Sequence, residues 1–157
     1  MVVEGPRGAR IVTYSTAPAI PNLGLRSLVS AADSGGAYAL QRGSLPPGDE
    51  VPLHRHRPTQ ETFYLLDGEL TFALGDREAV LRPGQAVVVP AGGLHGYRTT
   101  SPTPADVLIV LAPGEFEDYL KGVDALVQRY GAEVPADLRR ALDERFEVEW
   151  LVHDQRS

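Results

Sequence analysis

The segment HRHRPTQE, His54 to Glu61, sets two imidazoles one residue apart and a carboxylate shortly after, in a chain that has only four histidines. Imidazole nitrogen and carboxylate oxygen are ligand types that divalent transition metals accept. Side chains two apart on a strand leave the same face, so His54 and His56 would form a pincer on a single ion. Glu61 has an odd offset from both histidines and cannot share that straight face. Pro58 and the polar linker from Arg57 to Gln60 permit a turn, after which Glu61 opens a new strand with Phe63 and Leu65 on its side. His95 is distant in sequence, but it follows the turn Pro90-Ala91-Gly92-Gly93 and begins HGYRT, where a closed barrel could bring it opposite the pincer. Taken singly, these residues have plainer readings: His-x-His as a surface loop, His95 as a turn residue, Glu61 as a solvated strand start. Their joint placement at strand ends, flanked by glycines and prolines, favours a metal site. His153, in the polar tail HDQRS, is set aside as uninvolved.

The elements that must position these groups are short apolar runs cut by Gly, Pro and Asp between Ala37 and Val110, the pattern of an antiparallel sandwich or barrel. ETFYLL (61–66), ELTFAL (69–74), EAVL (78–81) and QAVVVP (85–90) read as strands rich in β-branched and aromatic residues. Asp67-Gly68 suits a type I′ hairpin, Gly75 to Arg77 another joint, and Pro83-Gly84 a type II turn, so successive strands are expected to pair with their neighbours. IVTYS (11–15), LRSLVS (25–30) and AYALQRGSL (37–45) are expected edge or entry strands. After the barrel the period changes. Phe116, Tyr119, Leu120, Val123, Leu126, Val127 and Tyr130 recur at helical spacing up to Gly131, a C-terminal cap. A second helix is expected from Pro135 to about Arg145, with Leu138, Ala141 and Leu142 on one side. Phe146, Val148, Trp150 and Val152 then alternate, as a last strand or an arm laid on a partner subunit. Pro47-Gly48 leads into His54 much as Pro83-Gly84 leads into Pro90 and His95, as in a barrel of two related halves.

The size of the chain, 157 residues with 43% hydrophobic and 23% charged content, suits a single domain, with a barrel core over about 36–112 and a helical extension over about 114–145. Lys and Arg number 15 against 21 Asp and Glu, a net charge of −6, and no basic stripe is available to neutralise phosphates, so no nucleic-acid partner is expected. With no cysteine, any metal must be held by nitrogen and oxygen. No apolar run approaches the ~20 residues of a membrane span, and the opening MVVEGPRGARIV lacks the apolar stretch of a signal peptide. A soluble cytoplasmic protein without a membrane partner is expected. Strand edges and the apolar terminal stripe lead to the expectation of a homodimer.

GDEVPLHRHRPTQETFYLLDG, Gly48 to Gly68, resembles the first motif of the cupin superfamily: Gly48, five residues, His54-x-His56, four residues, Glu61, six residues, Gly68. GQAVVVPAGGLHGYRT resembles the second: Gly84, five residues, Pro90-x-Gly92, two residues, His95. Thr99 stands where that motif usually has Asn, a departure that touches the segment after His95 and not His95 itself. The strand wording of QETFYLLDGELTFALGDR, the later LAPGEFEDYL and the helical tail resemble the quercetin 2,3-dioxygenase-like cupins. The resemblance implies an all-β antiparallel jelly-roll barrel with one or two C-terminal helices. It also implies that His54, His56, Glu61 and His95 are ligands to one divalent transition metal ion, whether Fe, Ni, Mn, Co, Cu or Zn. Such a centre points to a dioxygenase acting on an enol, flavonol or phenolic small molecule, in which Glu61 is both ligand and proton acceptor. Phe63 and Tyr97, on the strand sides of Glu61 and His95, are the candidate substrate-binding wall, with core packing as their plainer role. Two other readings use the same residues: a non-oxidative polyketide cyclase or isomerase with the metal as Lewis acid, and a metal- or ligand-binding module without turnover.

Overall fold

The alternation of side chains along a strand decides the architecture. In Ala105–Ala112, residues Ala105, Val107, Ile109 and Leu111 are buried while the residues between them are half-buried, so one face of this strand belongs to a dry core. The computed structural model describes residues 8–151 and the backbone of Val3–Glu4. In chain order the strands are β1 (Val3–Glu4), β2 (Arg10–Ile11), β3 (Ala19–Ile20), β4 (Leu25–Val29), β5 (Ala39–Leu45), β6 (Glu50–His56), β7 (Gln60–Asp67), β8 (Leu70–Leu74), β9 (Arg77–Leu81), β10 (Ala86–Val89), β11 (His95–Thr99) and β12 (Ala105–Ala112). Helices α1 (Phe116–Tyr130) and α2 (Ala136–Arg145) follow, then β13 (Val148–Trp150).

Strands β3 to β13 form two antiparallel sheets, one in the order β10-β7-β12-β5-β4-β3 and one in the order β13-β6-β11-β8-β9. Their inner faces share one core, which includes Phe63 and Leu65 of β7, Leu70 and Phe72 of β8, Leu45 of β5 and Val107 and Leu111 of β12. This is the expected jelly roll, with the correction that the sheets face each other and do not close into a barrel. Entry strands β3 and β4 extend the six-stranded sheet ahead of residue 36. No helix among the described residues is long and apolar enough to cross a membrane.

The expectation that successive strands pair is overturned along most of the core. β6 and β7 lie in different sheets, as do β7 and β8 and also β9 and β10. Asp67-Gly68 is therefore a crossing between sheets and not a type I′ hairpin. Gly68 takes φ +85°, and a Cβ there would lie 2.8 Å from the Ala105 Cα, so glycine is required by both conformation and space. Pro83-Gly84 is likewise a crossing. Gly75-Asp76 is the true hairpin, joining Leu74 to its partner Arg77 with a positive φ of +66° at Gly75, the first central position of a type II′ turn. The expected strand over 11–15 shrinks to Arg10–Ile11, and Tyr14–Thr16 form a 3-10 turn.

Helix α1 buries Phe116, Tyr119 and Val123 and is closed by Gly131, whose N–H donates to the Val127 carbonyl. α2 starts one residue after Pro135, and its Leu142 packs so closely on Gly122 that a Cβ there would sit 2.9 Å from Leu142 Cδ1. The last strand is not an arm on another subunit: β13 pairs antiparallel with β6 of its own chain, Trp150 opposite His54 and Val148 opposite His56. Val152 and His153 lie outside the described residues.

Candidate metal centre

The pincer forms as its spacing demands. His54 and His56 leave the inner face of β6, both buried. His95 opens β11 as the direct cross-strand partner of His54, also buried. Gly96 makes this junction possible, because a Cβ there would lie 2.7 Å from the Val51 carbonyl oxygen and 2.9 Å from Pro52 C. Glu61 comes from the opposite sheet, where its inward partners on β7 are Phe63 and Leu65. One ring nitrogen of each of His54, His56 and His95 lies within 4.8 Å of the other two.

Each imidazole is oriented by a backbone carbonyl. Nδ1 of His54 stands 2.8 Å from the Pro52 oxygen, Nδ1 of His56 3.0 Å from that of Thr59, and Nδ1 of His95 3.0 Å from that of Gly93. A carbonyl accepts only from N–H, so Nδ1 carries a proton, and a ring that carries no other presents its lone pair at Nε2. Yet Glu61 Oε2 stands 3.0 Å from His56 Nε2 and 3.1 Å from His95 Nε2. Lone pairs facing a carboxylate in a buried place repel unless a cation, a proton or a metal ion, lies among them. The three imidazole nitrogens thus fit a divalent ion, with the Glu61 carboxylate set against two of them.

The electrostatics agree with that frame. Burial first, then the neighbouring His95, push the His54 imidazole down to about 4, so this ring is neutral near pH 7 and available as a ligand. In the metal-free protein a proton takes the place of the metal ion: burial alone would raise the Glu61 carboxyl, but hydrogen bonds from His56 and His95 Nε2–H outweigh it and hold it at about 2. Burial foremost, then the Asp49 and Glu61 carboxylates, drive the Tyr97 phenol well above its usual range, so it is a neutral hydroxyl.

His54, Glu61 and His95 open onto a cavity of about 300 Å³. Phe63 and Tyr97 line it, as do residues of the C-terminal segment: Phe116 and Tyr119 of α1, Arg139 of α2 and Trp150 of β13. Helix α1 is therefore a wall of the cavity and not only packing outside the sandwich. Trp150 stacks on His54 with ring centroids 4.7 Å apart, and Phe116 lies 4.3 Å from His56. Sequence reasoning did not place Arg139 or Trp150 at the site. Trp150 carries a cue in being the only tryptophan of the chain, but its register against His54 emerges only once β13 joins β6.

Residues 41–111 match the Cupin domain family. The chain is 31% identical over 121 residues to quercetin 2,3-dioxygenase of Bacillus subtilis (strain 168), a match that covers 76% of this chain and 33% of that relative's length. A crystal structure of a predicted oxalate decarboxylase from Thermotoga maritima is similar with 28% identity and a TM-score of 0.50, over 57% of this chain and 78% of that one. The polyketide cyclase RemF from Streptomyces resistomycificus shares the fold with a TM-score of 0.51 at 22% identity, over 64% of this chain and 81% of that one.

Proposed function

We propose, on the premise that this chain belongs to the cupin superfamily, that it is a metal-dependent dioxygenase acting on an enol, flavonol or phenolic small molecule. His54, His56, His95 and Glu61 are the proposed ligands to one divalent transition metal ion. The observation that carries this reading is the convergence of three buried imidazoles, each locked through Nδ1, with Glu61 set against His56 and His95 beside the cavity. The similarity to quercetin 2,3-dioxygenase supports the oxidative assignment.

When bound, the ion supplies Lewis acidity toward a substrate hydroxyl and, if redox-active, electron transfer to dioxygen. Fe, Ni, Mn, Co, Cu and Zn all suit the nitrogen and oxygen set. The protein's own contribution is positional. Glu61 is placed beside the imidazoles and lines the cavity, which makes it the proposed proton acceptor for an incoming hydroxyl. Phe63 and Tyr97 form an aromatic wall against which a planar ring can lie, and the neutral Tyr97 hydroxyl can donate to a substrate oxygen. Phe116, Tyr119 and Trp150 add further aromatic surface to the same cavity. We further propose a homodimer, for which β10 offers an edge strand of the six-stranded sheet among the described residues.

Oxygen consumption by metal-loaded protein against a panel of flavonols and phenols tests the assignment. Uptake in step with substrate loss is expected. Product without uptake would replace the dioxygenase with a cyclase or isomerase, and ligand binding without product would leave a module without turnover.

A further inference from the structure

Asp143 of α2 lies outside the matched family segment and is absent from the cavity lining, yet three donors converge on its two oxygens. The Tyr119 hydroxyl donates to Oδ1 at 2.7 Å, the Arg139 Nε–H to the same oxygen at 3.1 Å, and the Trp150 indole N–H to Oδ2 at 3.1 Å. Arg139 Nη2 also donates to the Tyr119 hydroxyl oxygen at 3.1 Å, which closes the network on itself.

Two arms run from this carboxylate to the histidines. One is Trp150, whose ring stacks on His54 at 4.7 Å and 30°. The other is Tyr119, stacked at 4.9 Å and 20° on Phe116, which lies against His56 at 4.3 Å. An imidazole held by one carbonyl hydrogen bond keeps its tautomer but can still tilt about that bond. An aromatic face pressed on the ring removes this freedom, provided the aromatic residue is itself fixed. Asp143 fixes both.

We propose that Asp143 is a positioning residue for the metal centre: through Trp150 and Tyr119 it clamps His54 and His56 at the tilt that lets their Nε2 atoms converge. The inference rests on the metal-binding reading above. It makes α2 and β13 working parts of the site, and it assigns the aromatic wall a role besides enclosing a substrate. Partners outside the ligand shell of metal sites typically contribute 10–100-fold in affinity.

Titration of the full-length protein with cobalt(II), followed by its visible absorption, tests this directly. Asp143→Ala is expected to weaken cobalt binding about 10-fold or more and to alter the band shape, with Asp143→Asn between it and the wild type because an acceptor oxygen remains. Trp150→Phe and Tyr119→Phe each keep a ring but lose its tether, so each should cause part of the loss. Combined with Asp143→Ala, Trp150→Phe should add little, since both cut the same arm. A protein in which Asp143→Ala only lowers the urea midpoint while cobalt affinity and spectrum stay as in the wild type would overturn the proposal. Full additivity of the two substitutions would do the same. If Asp143→Ala does not fold by circular dichroism, unchanged cobalt binding in both Trp150→Phe and Tyr119→Phe is the contrary result. Failure of the wild type to bind cobalt at all would instead strike the metal reading, and this inference with it.

Discussion

His54, His56 and His95 each turn Nδ1 to a carbonyl, which leaves the Nε2 atoms to set the chemistry. In the proposed centre, removing any one of them, or Glu61, deletes a ligand and not a mere support. His54→Ala and Glu61→Ala should therefore lower metal affinity by more than the roughly 10–100-fold that outer partners contribute. Far-UV circular dichroism should stay close to wild type, and equilibrium dialysis against the metal gives the affinity. Undiminished binding in both variants would remove them from the ligand set. At this scale the sequence was informative. The spacing of His54 and His56 needs only a strand to become a pincer, and the strand is there. The odd offset of Glu61 correctly excluded it from that face, and it arrives from the other sheet. Arg139, Asp143 and Trp150 were not legible as site residues, because nothing in their local wording says that a helix and strand after the core fold back onto β6.

The strand β11 places His95 against His54 only because Gly96 lets β6 pass at backbone distance. Gly96→Ala would put a methyl group 2.7 Å from the Val51 carbonyl oxygen, and no flexible side chain is there to yield. The strands must part, so a destabilisation of about 1–3 kcal/mol is expected by urea unfolding, together with weaker metal binding as His95 moves. An unchanged midpoint would mean that the two strands have room for the methyl group. Most strands were legible from β-branched and aromatic runs, and α1 from its stripe with Gly131. Their partners were not. Asp67-Gly68 has the wording of a hairpin, but whether a turn returns to its own sheet or crosses to the facing one is settled by long-range burial. Phe63 and Leu65 of β7 and Leu70 and Phe72 of β8 all enter one core from opposite sides.

As a whole, the metal-free molecule should carry a pH signature from its buried ring. His54 titrates at about 4 when folded and near its ordinary 6.5 when unfolded, so between those values the unfolded chain binds a proton that the native one refuses. That stability is fully present above 6.5 and is lost as pH falls toward 4, a change on the order of 3 kcal/mol. Glu61, at about 2 when folded and 4.5 when unfolded, adds stability that is lost only below 4.5. Urea unfolding of chelator-treated protein should thus show a lower midpoint at about pH 5 than at about pH 7.5, and equal midpoints would argue that His54 is not buried neutral. For the assembly, light scattering should return twice the 17.0 kDa chain mass, and a monomeric mass at working concentration would refute the dimer. One ion shared by side chains from two facing sheets is the centre of the proposed function. Elemental analysis after equilibration with a divalent transition metal and removal of the excess measures it most directly. Close to one ion per chain is expected in the wild type, falling to background in His54→Ala/His56→Ala; background metal in the wild type, or full loading without those histidines, would contradict it.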